Sequence, residues 1–393
     1  MNNMKLLFIA LVLVLSGCDI TKNDVEPTAS FTKIYDDNRF EQEYYAVDII
    51  ETADKGFLIL SELKNDQSLF TSVHILKTDA LGNIVSQIEL DAPYANAVNG
   101  WSKVGDLYYF VCMNANNLIA NLVAVDETGT PADPIALGNT TYPLVMQQVD
   151  NGLVLLSFDN LNAESVITEL SVDGQIIRQV GYSIGTGVDV EKPIIDHLTR
   201  NGDKLPFAVG KTTDGIYYFN GFYNFTFSLV FTNFGTDPTG VSQGQLSQGG
   251  ISAVSSLGND VFGIARFNFG SNFINPTAII STSSITSSID LGGNTFPEIE
   301  SGARVSLINT PQGRWLYGTN TQGKQVSLYG FDQTTNSILG TEYLGSGNPY
   351  TFASFTLTSD GGIAILANTA LEGRFPRIAL FKRDANFLRR LVP

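Results

Sequence analysis

The chain has 393 residues, of which 39 are acidic and 23 basic, for a formal net charge of −16. Such an acidic surface argues against nucleic acid as a partner and against adsorption onto anionic lipid. Charged residues are only 16% of the chain and apolar ones 43%, which excludes a disordered polyelectrolyte and suits an exported, turn-rich β protein.

The first element is MNNMKLLFIALVLVLSGC: one cation, Lys5, then an unbroken apolar run from Leu6 to Leu15. Ten residues are too few to span a bilayer, which needs roughly 20, but they have the length of a signal-peptide core. The run ends in Leu15-Ser16-Gly17-Cys18, which resembles the bacterial lipobox. That resemblance implies cleavage after residue 17 and acyl chains on Cys18, which becomes the new N-terminus. Each buried methylene contributes about 0.8 kcal/mol, so several chains together anchor a protein permanently.

Residues 19–29, DITKNDVEPTA, carry no hydrophobic period, so 18–29 reads as a polar tether. Lys22-Asn23-Asp24 and Glu26 within it resemble the acidic export signals of Bacteroidetes surface lipoproteins. The expected location is the cell envelope, on the outer membrane, facing either the periplasm or the surface. With Cys18 lipidated, Cys112 is alone in YYFVCMN and reads as a small buried hydrophobe on a strand.

About 375 residues remain, enough for one large all-β domain or two ordinary ones. Short runs such as FLILSEL, LYYFVCM, LVLLSFD, VSLYGFD and IAILANT, bounded by Gly, Asn or Asp, predict strands throughout. No sustained period of 3.6 with helix caps is evident. One signature repeats: an apolar strand, a tight Gly turn, then a more hydrophobic strand. It occurs at Gly56, Gly105, Gly152, Gly258, Gly313 and Gly361. The 106 residues between Gly152 and Gly258 have room for one more copy, with its turn at Gly202 or at Gly215.

A second turn follows some 20 to 30 residues after the first, as in KTDALGNIV, AVDETGTPA and SVDGQII. Asp early and Gly or Asn late is the chemistry of a short hairpin loop. Seven repeats of about fifty residues, each of four strands, predict a single seven-bladed β-propeller over residues 30–393, with two β-sandwiches as the competing architecture. Asp360-Gly361-Gly362-Ile363 and Lys77-Thr78-Asp79-Ala80-Leu81-Gly82-Asn83 resemble the blade turns of Bacteroidetes lipoprotein propellers. SFTKIYD (30–36) has the make-up of an outer strand, and FLRRLV (387–392) reads as a closing strand. The two runs are expected to bring the chain ends together within the last blade.

Chemistry is thin. His74 lies on a strand in SVHILKT, and His197 follows Asp196 in PIIDHLTRNGD, where a strand would turn the two side chains to opposite faces. Neither histidine has a spaced ligand partner, and no nucleophile elbow, phosphate loop or dinucleotide fingerprint is present. Asp126, Glu127 and Asp133 cluster in AVDETGTPADP, but their spacing is that of a solvated hairpin and not of a calcium loop. No catalytic residue, metal or cofactor is therefore nominated.

The site-like signal is an aromatic in each of four blade-to-blade connections: Tyr94, Tyr142, Phe296 and Tyr350. These either ring one mouth of the central channel as a ligand-stacking surface or plug the gaps between blades. Phe273 and Arg374, in loops on the same side, are lesser candidates. The function expected is a membrane-anchored, non-catalytic binding or scaffold propeller for a protein or glycan; a carbohydrate-active or other hydrolase propeller is the alternative.

Overall fold

The computed structural model describes residues 30–36, 42–64, 68–246, 248–371 and 375–393, so the leader, Cys18, the tether and Arg374 lie outside the described residues. Almost all regular structure is antiparallel β, and among the described residues its pairing divides into seven four-stranded units at 43–89, 102–141, 143–183, 208–243, 249–295, 306–344 and 350–383, the fourth extended by the parallel pairing of Ile285–Ser287. The first two are stitched into one sheet by the short strand Tyr94–Ala95, and the last is completed by Phe31–Tyr35. The chain is a β-propeller.

Within each blade the four strands, A to D from the channel outward, differ in what they bury. Middle strands such as Phe57–Lys64 and Ile119–Val125 are buried along most of their length, because both faces meet a neighbouring blade. That is why they read as continuous apolar runs and not as an alternation. Outer strands such as Ile84–Glu89 and Ile338–Leu344 are largely open to solvent. The apolar core is correspondingly divided into seven clusters, each shared by two consecutive blades. One joins the seventh blade to the first through Ile378 and Leu380 against Ile59 and Leu76.

The inner strands of the first, third and seventh blades each carry one bulge, at Val47, Leu144 and Ala353, and that of the fifth carries two, at Ser252 and Leu257. An extra residue at these points bends and twists the strand that borders the channel.

Ring closure follows the sequence expectation at one end of the chain and departs from it at the other. Phe31–Tyr35 is the outer strand of the seventh blade, in continuous register with Phe375–Arg383 from Phe31↔Lys382 to Tyr35↔Ile378. Arg377, fully buried, ties the junction by donating to Asp36 Oδ1 at 2.9 Å and to the Gln42 carbonyl at 2.8 Å.

FLRRLV is not a strand: Ala385–Leu391 is a helix, α2 below, whose N-cap Asp384 accepts from Phe387 N at 2.9 Å. Phe387, Leu388 and Leu391 fall on one face, the spacing of a helix, and pack onto the interface between the sixth and seventh blades. This backbone runs so close to the sixth blade that a Cβ at Gly330 would lie 2.0 Å from the Leu391 carbonyl oxygen.

The recurring Asp and Lys of the blade turns have a physical basis. In the first blade Lys77 Nζ donates to both oxygens of Asp54, at 2.7 and 2.8 Å, and to Thr52 Oγ1 at 2.6 Å. In the seventh, Lys382 Nζ meets Asp360 at 3.0 and 2.7 Å. Each carboxylate also accepts from its turn's Thr hydroxyl and from a glycine N–H, Gly56 or Gly362. The motif is thus an A–B turn clamped to the end of strand C by a buried ammonium.

The fourth blade uses the Gly215 turn, where Thr212 N donates to the Ile216 carbonyl between Ala208–Lys211 and Tyr217–Tyr223. Gly202 belongs to a connection.

Burial alone would raise the carboxyls of Asp54 and Asp360, but the lysine, threonine and glycine bonds outweigh it and hold both below the ordinary value. A lowered folded-state pKa stabilises fully above the ordinary carboxylate value of about 3.9 and loses that contribution as pH falls through the folded one. Asp360→Ala strands Lys382, which is only 2% exposed, and should cost about 3–5 kcal/mol in urea unfolding at pH 7. Asp54→Ala should cost less, since water already reaches 49% of that side chain. Below pH 4 the difference between wild type and Asp360→Ala should shrink.

Candidate binding face

Strand direction assigns every loop to one of two faces. The A–B and C–D turns, including the clamped turns above, lie on one face, and the chain enters there: Asp384 N donates to Ser30 Oγ at 3.1 Å beside the turn that follows strand C of the last blade. The B–C turns and the blade-to-blade connections lie on the other, here called the connection face.

All four sequence-nominated aromatics are on that face, but they do not stand free around an open mouth. Phe296 is 5% exposed and meets Tyr329 edge-on at 4.9 Å and Phe331 at 6.1 Å. Tyr350, also 5% exposed, meets Phe381 at 5.1 Å. Both are therefore plugs between blades, and the expectation that they stack on a ligand is corrected for these two. Tyr94 is half-buried against the cluster between the first and second blades, and Tyr142 half-buried against Phe158 at 6.0 Å. Phe273 is covered by the Arg266 guanidinium 3.9 Å from its ring centre.

The mouth is spanned by a segment that the sequence reading missed. Between the third and fourth blades the connection runs over 184–207 and contains the helix Val188–Leu198, α1 below. Val190, Ile194 and Leu198 recur every four residues on its buried side, which is a legible signal. It was obscured by Pro193 inside the helix and by Gly187, an N-cap with no side-chain oxygen. From here the chain reaches across to the first two blades: Asn96 Nδ2 donates to the Leu198 carbonyl at 2.5 Å, and Arg200 N to the Leu69 carbonyl at 3.0 Å.

Beneath this cap the titratable groups are engaged structurally. His197 is on a helix, not a strand; its Nδ1 accepts from Leu205 N at 2.7 Å, and its ring meets Phe207 edge-on at 4.8 Å. Burial first, and then the cations Lys204 and Arg304, push it well below the ordinary imidazole value. Arg304 donates to the Val47 carbonyl at 3.4 Å; burial lowers it while the Asp48 and Glu62 carboxylates hold it up. Asp48 accepts from Gly100 N, Trp101 N, Ile49 N and Ser354 Oγ, so one buried carboxylate joins the first, second and seventh blades.

Elsewhere, His74 Nδ1 is 2.7 Å from Ser61 Oγ inside the first blade. Asp126 accepts from the N–H groups of Thr128 and Thr130 in its own turn, the bonding of a hairpin.

No protein-family model matches the chain, and no curated protein matches it. Among solved structures it is similar to the β-propeller domain of the Trilobed protease from Pyrococcus furiosus, at 11% identity over 87% of this chain and 95% of that one, TM-score 0.49. It is also similar to the Dos1 propeller, at 9% identity over 92% and 97% of the two chains, TM-score 0.48. The WD40 domain of Toxoplasma gondii coronin is a third, at 11% identity over 90% and 86%, TM-score 0.47.

Alanine at Phe296 or Tyr350 should cost about 3–5 kcal/mol of stability, as truncated buried aromatics do, and alanine at Tyr94 or Tyr142 distinctly less. Thermal unfolding of the four variants reads this directly. A second expectation concerns pH. With its folded-state pKa depressed, His197 stabilises fully above an ordinary imidazole value of about 6.5 and loses that contribution as pH falls through the folded value. Amide protection factors over 188–207, which divide out the slower intrinsic exchange at lower pH, should therefore fall between pH 7 and pH 5, and His197→Gln should abolish that fall.

Proposed function

We propose that the chain is a lipoprotein of the bacterial cell envelope whose propeller is a non-catalytic binding or scaffold module, presenting its connection face to a protein or glycan. The lipobox at Cys18 and the polar tether 18–29 support the anchor. The observation that carries the orientation is the entry of the chain at Ser30 on the turn face. A tether of twelve residues reaches at most about 40 Å, so the turn face stays nearer the membrane and the connection face is the one turned outward.

The engagement of Asp48 and His197 in structural hydrogen bonds supports binding over hydrolysis, which would need a carboxylate or imidazole free to transfer a proton. A Bacteroidetes origin rests on the turn and tether motifs.

Cys18→Ser should move the protein from the membrane to the soluble fraction and abolish fatty-acid labelling; label retained on that variant overturns the anchor. In whole envelopes, a cysteine placed at exposed Leu161 on the connection face should react with a bulky maleimide faster than one placed at Ile84, near the turn face. Equal or inverted rates overturn the orientation.

A further inference from the structure

The connection face carries a second feature, independent of the channel mouth. Over the third to fifth blades, five apolar side chains stand in solvent: Leu161 is 92% exposed, Val188 75%, Phe269 65%, Phe225 50% and Leu246 44%. Backbone hydrogen bonds link their loops from blade to blade. Ile184 N donates to the Ala163 carbonyl, Phe225 N to that of Ile184, Phe227 N to that of Leu246, and Phe269 N to that of Gln248. The five therefore form one continuous arc and are not scattered surface residues.

Local geometry makes two of them costly to keep. Asn224-Phe225 and Phe269-Gly270 are two-residue hairpin loops, closed by Tyr223↔Thr226 and Asn268↔Ser271. All four loop residues have positive φ, 45° and 68° in the first loop and 44° and 83° in the second. That is the turn for which Asn-Gly is the least strained pair. The first loop has Phe where Gly belongs, and the second has Phe where Asn belongs. A bulky side chain strains a left-handed backbone; the Phe225 ring recovers part of that cost by lying over Gly185 while half of the residue stays in solvent, and Phe269, 65% exposed, recovers little. Leu246 repeats the pattern at φ 43°. Such positions mark function when packing does not account for them.

We propose that this arc is a docking surface for a protein segment with apolar anchors flanked by lysine or arginine. The inference rests on the reading of the propeller as a binding module. The apolar part follows from the arc itself, whose Leu, Val and Phe side chains offer no hydrogen-bonding group to a sugar. The basic part follows from its rim: Asp159 accepts from Leu161 N at 2.9 Å, and Asp189 and Glu191 flank Val188 in the first turn of α1. The nearby cation, Lys192, is ion-paired to Asp196. A second copy of a chain of net charge −16, or an anionic bilayer, would be repelled by the same rim.

The test uses the full chain, immobilised, and a displayed library of random dodecapeptides as the probe. The expected result is enrichment of sequences combining apolar residues with Lys or Arg. These should bind F225G/F269N about 30-fold more weakly, a hot-spot-sized loss. Both turns of that variant then read Asn-Gly, so its melting temperature should hold or rise. L161S/V188S, which alters neither turn, should weaken the same peptides.

The proposal is overturned if nothing enriches, if the enriched sequences are acidic or wholly polar, or if they bind both double variants as well as wild type. A lower melting temperature for F225G/F269N also overturns it, since the phenylalanines would then serve stability. Co-sedimentation with phosphatidylglycerol vesicles that depends on the same phenylalanines would assign the arc to a membrane instead. Failure here leaves Cys18-dependent membrane retention intact, and loss of that retention leaves peptide binding intact, so the two readings fall separately.

Discussion

The structure depends on one constraint: its middle strands are apolar on both faces, so no blade is complete without a neighbour on each side. Phe57–Lys64 and Leu107–Asn114 have no solvent face to offer, and each is covered by residues of the adjoining blades. An open stack of such sheets would leave two apolar surfaces bare at its ends. Closing the stack removes both ends at once, and the cluster joining the seventh blade to the first is the interface that does so. At roughly 1.5–3 kcal/mol for each large apolar side chain buried, that interface is comparable to the net stability of an ordinary domain.

Much of this was legible in the residues. Repeating Gly turns mark the A–B hairpin of each blade because a hairpin needs a left-handed backbone at fixed positions, and Gly215, at φ 93°, meets that need in the fourth blade. The recurrence of Asp and Lys was visible too, although its meaning as a clamp required the fold to bring Asp54 to Lys77 and Asp360 to Lys382. The outer-strand character of residues 30–36 was legible because a D strand is only partly buried, and its FTKIY run mixes polar with apolar residues.

What escaped detection was of two kinds. Both helices carried their apolar spacing in plain view, Val190-Ile194-Leu198 and Phe387-Leu388-Leu391, but they are short and lie among many strands. A proline inside α1 and arginines within α2 drew attention from the period. The bulges at Val47, Leu144, Ser252, Leu257 and Ala353 left no local signal, since an unpaired residue is defined by its partner strand. The aromatics of the connections were assigned to the correct face, yet burial is a property of the assembled ring. Phe296 and Tyr350 fill it from inside, whereas Phe225 and Phe269, unremarkable as letters, are conspicuous only once their φ angles are known.

The order of synthesis gives the closing strand a further meaning. Phe31–Tyr35 is among the first segments of the domain to leave the ribosome, and its partner Phe375–Arg383 is among the last. For the whole interval the first strand has nowhere to dock, and its exposed edge is a liability for aggregation. The first six blades can each be assembled from local hairpins as they are made, but the seventh waits for the end of translation. Completion of the ring is thus a checkpoint at which a truncated chain, lacking only its last few dozen residues, remains unfinished at both ends.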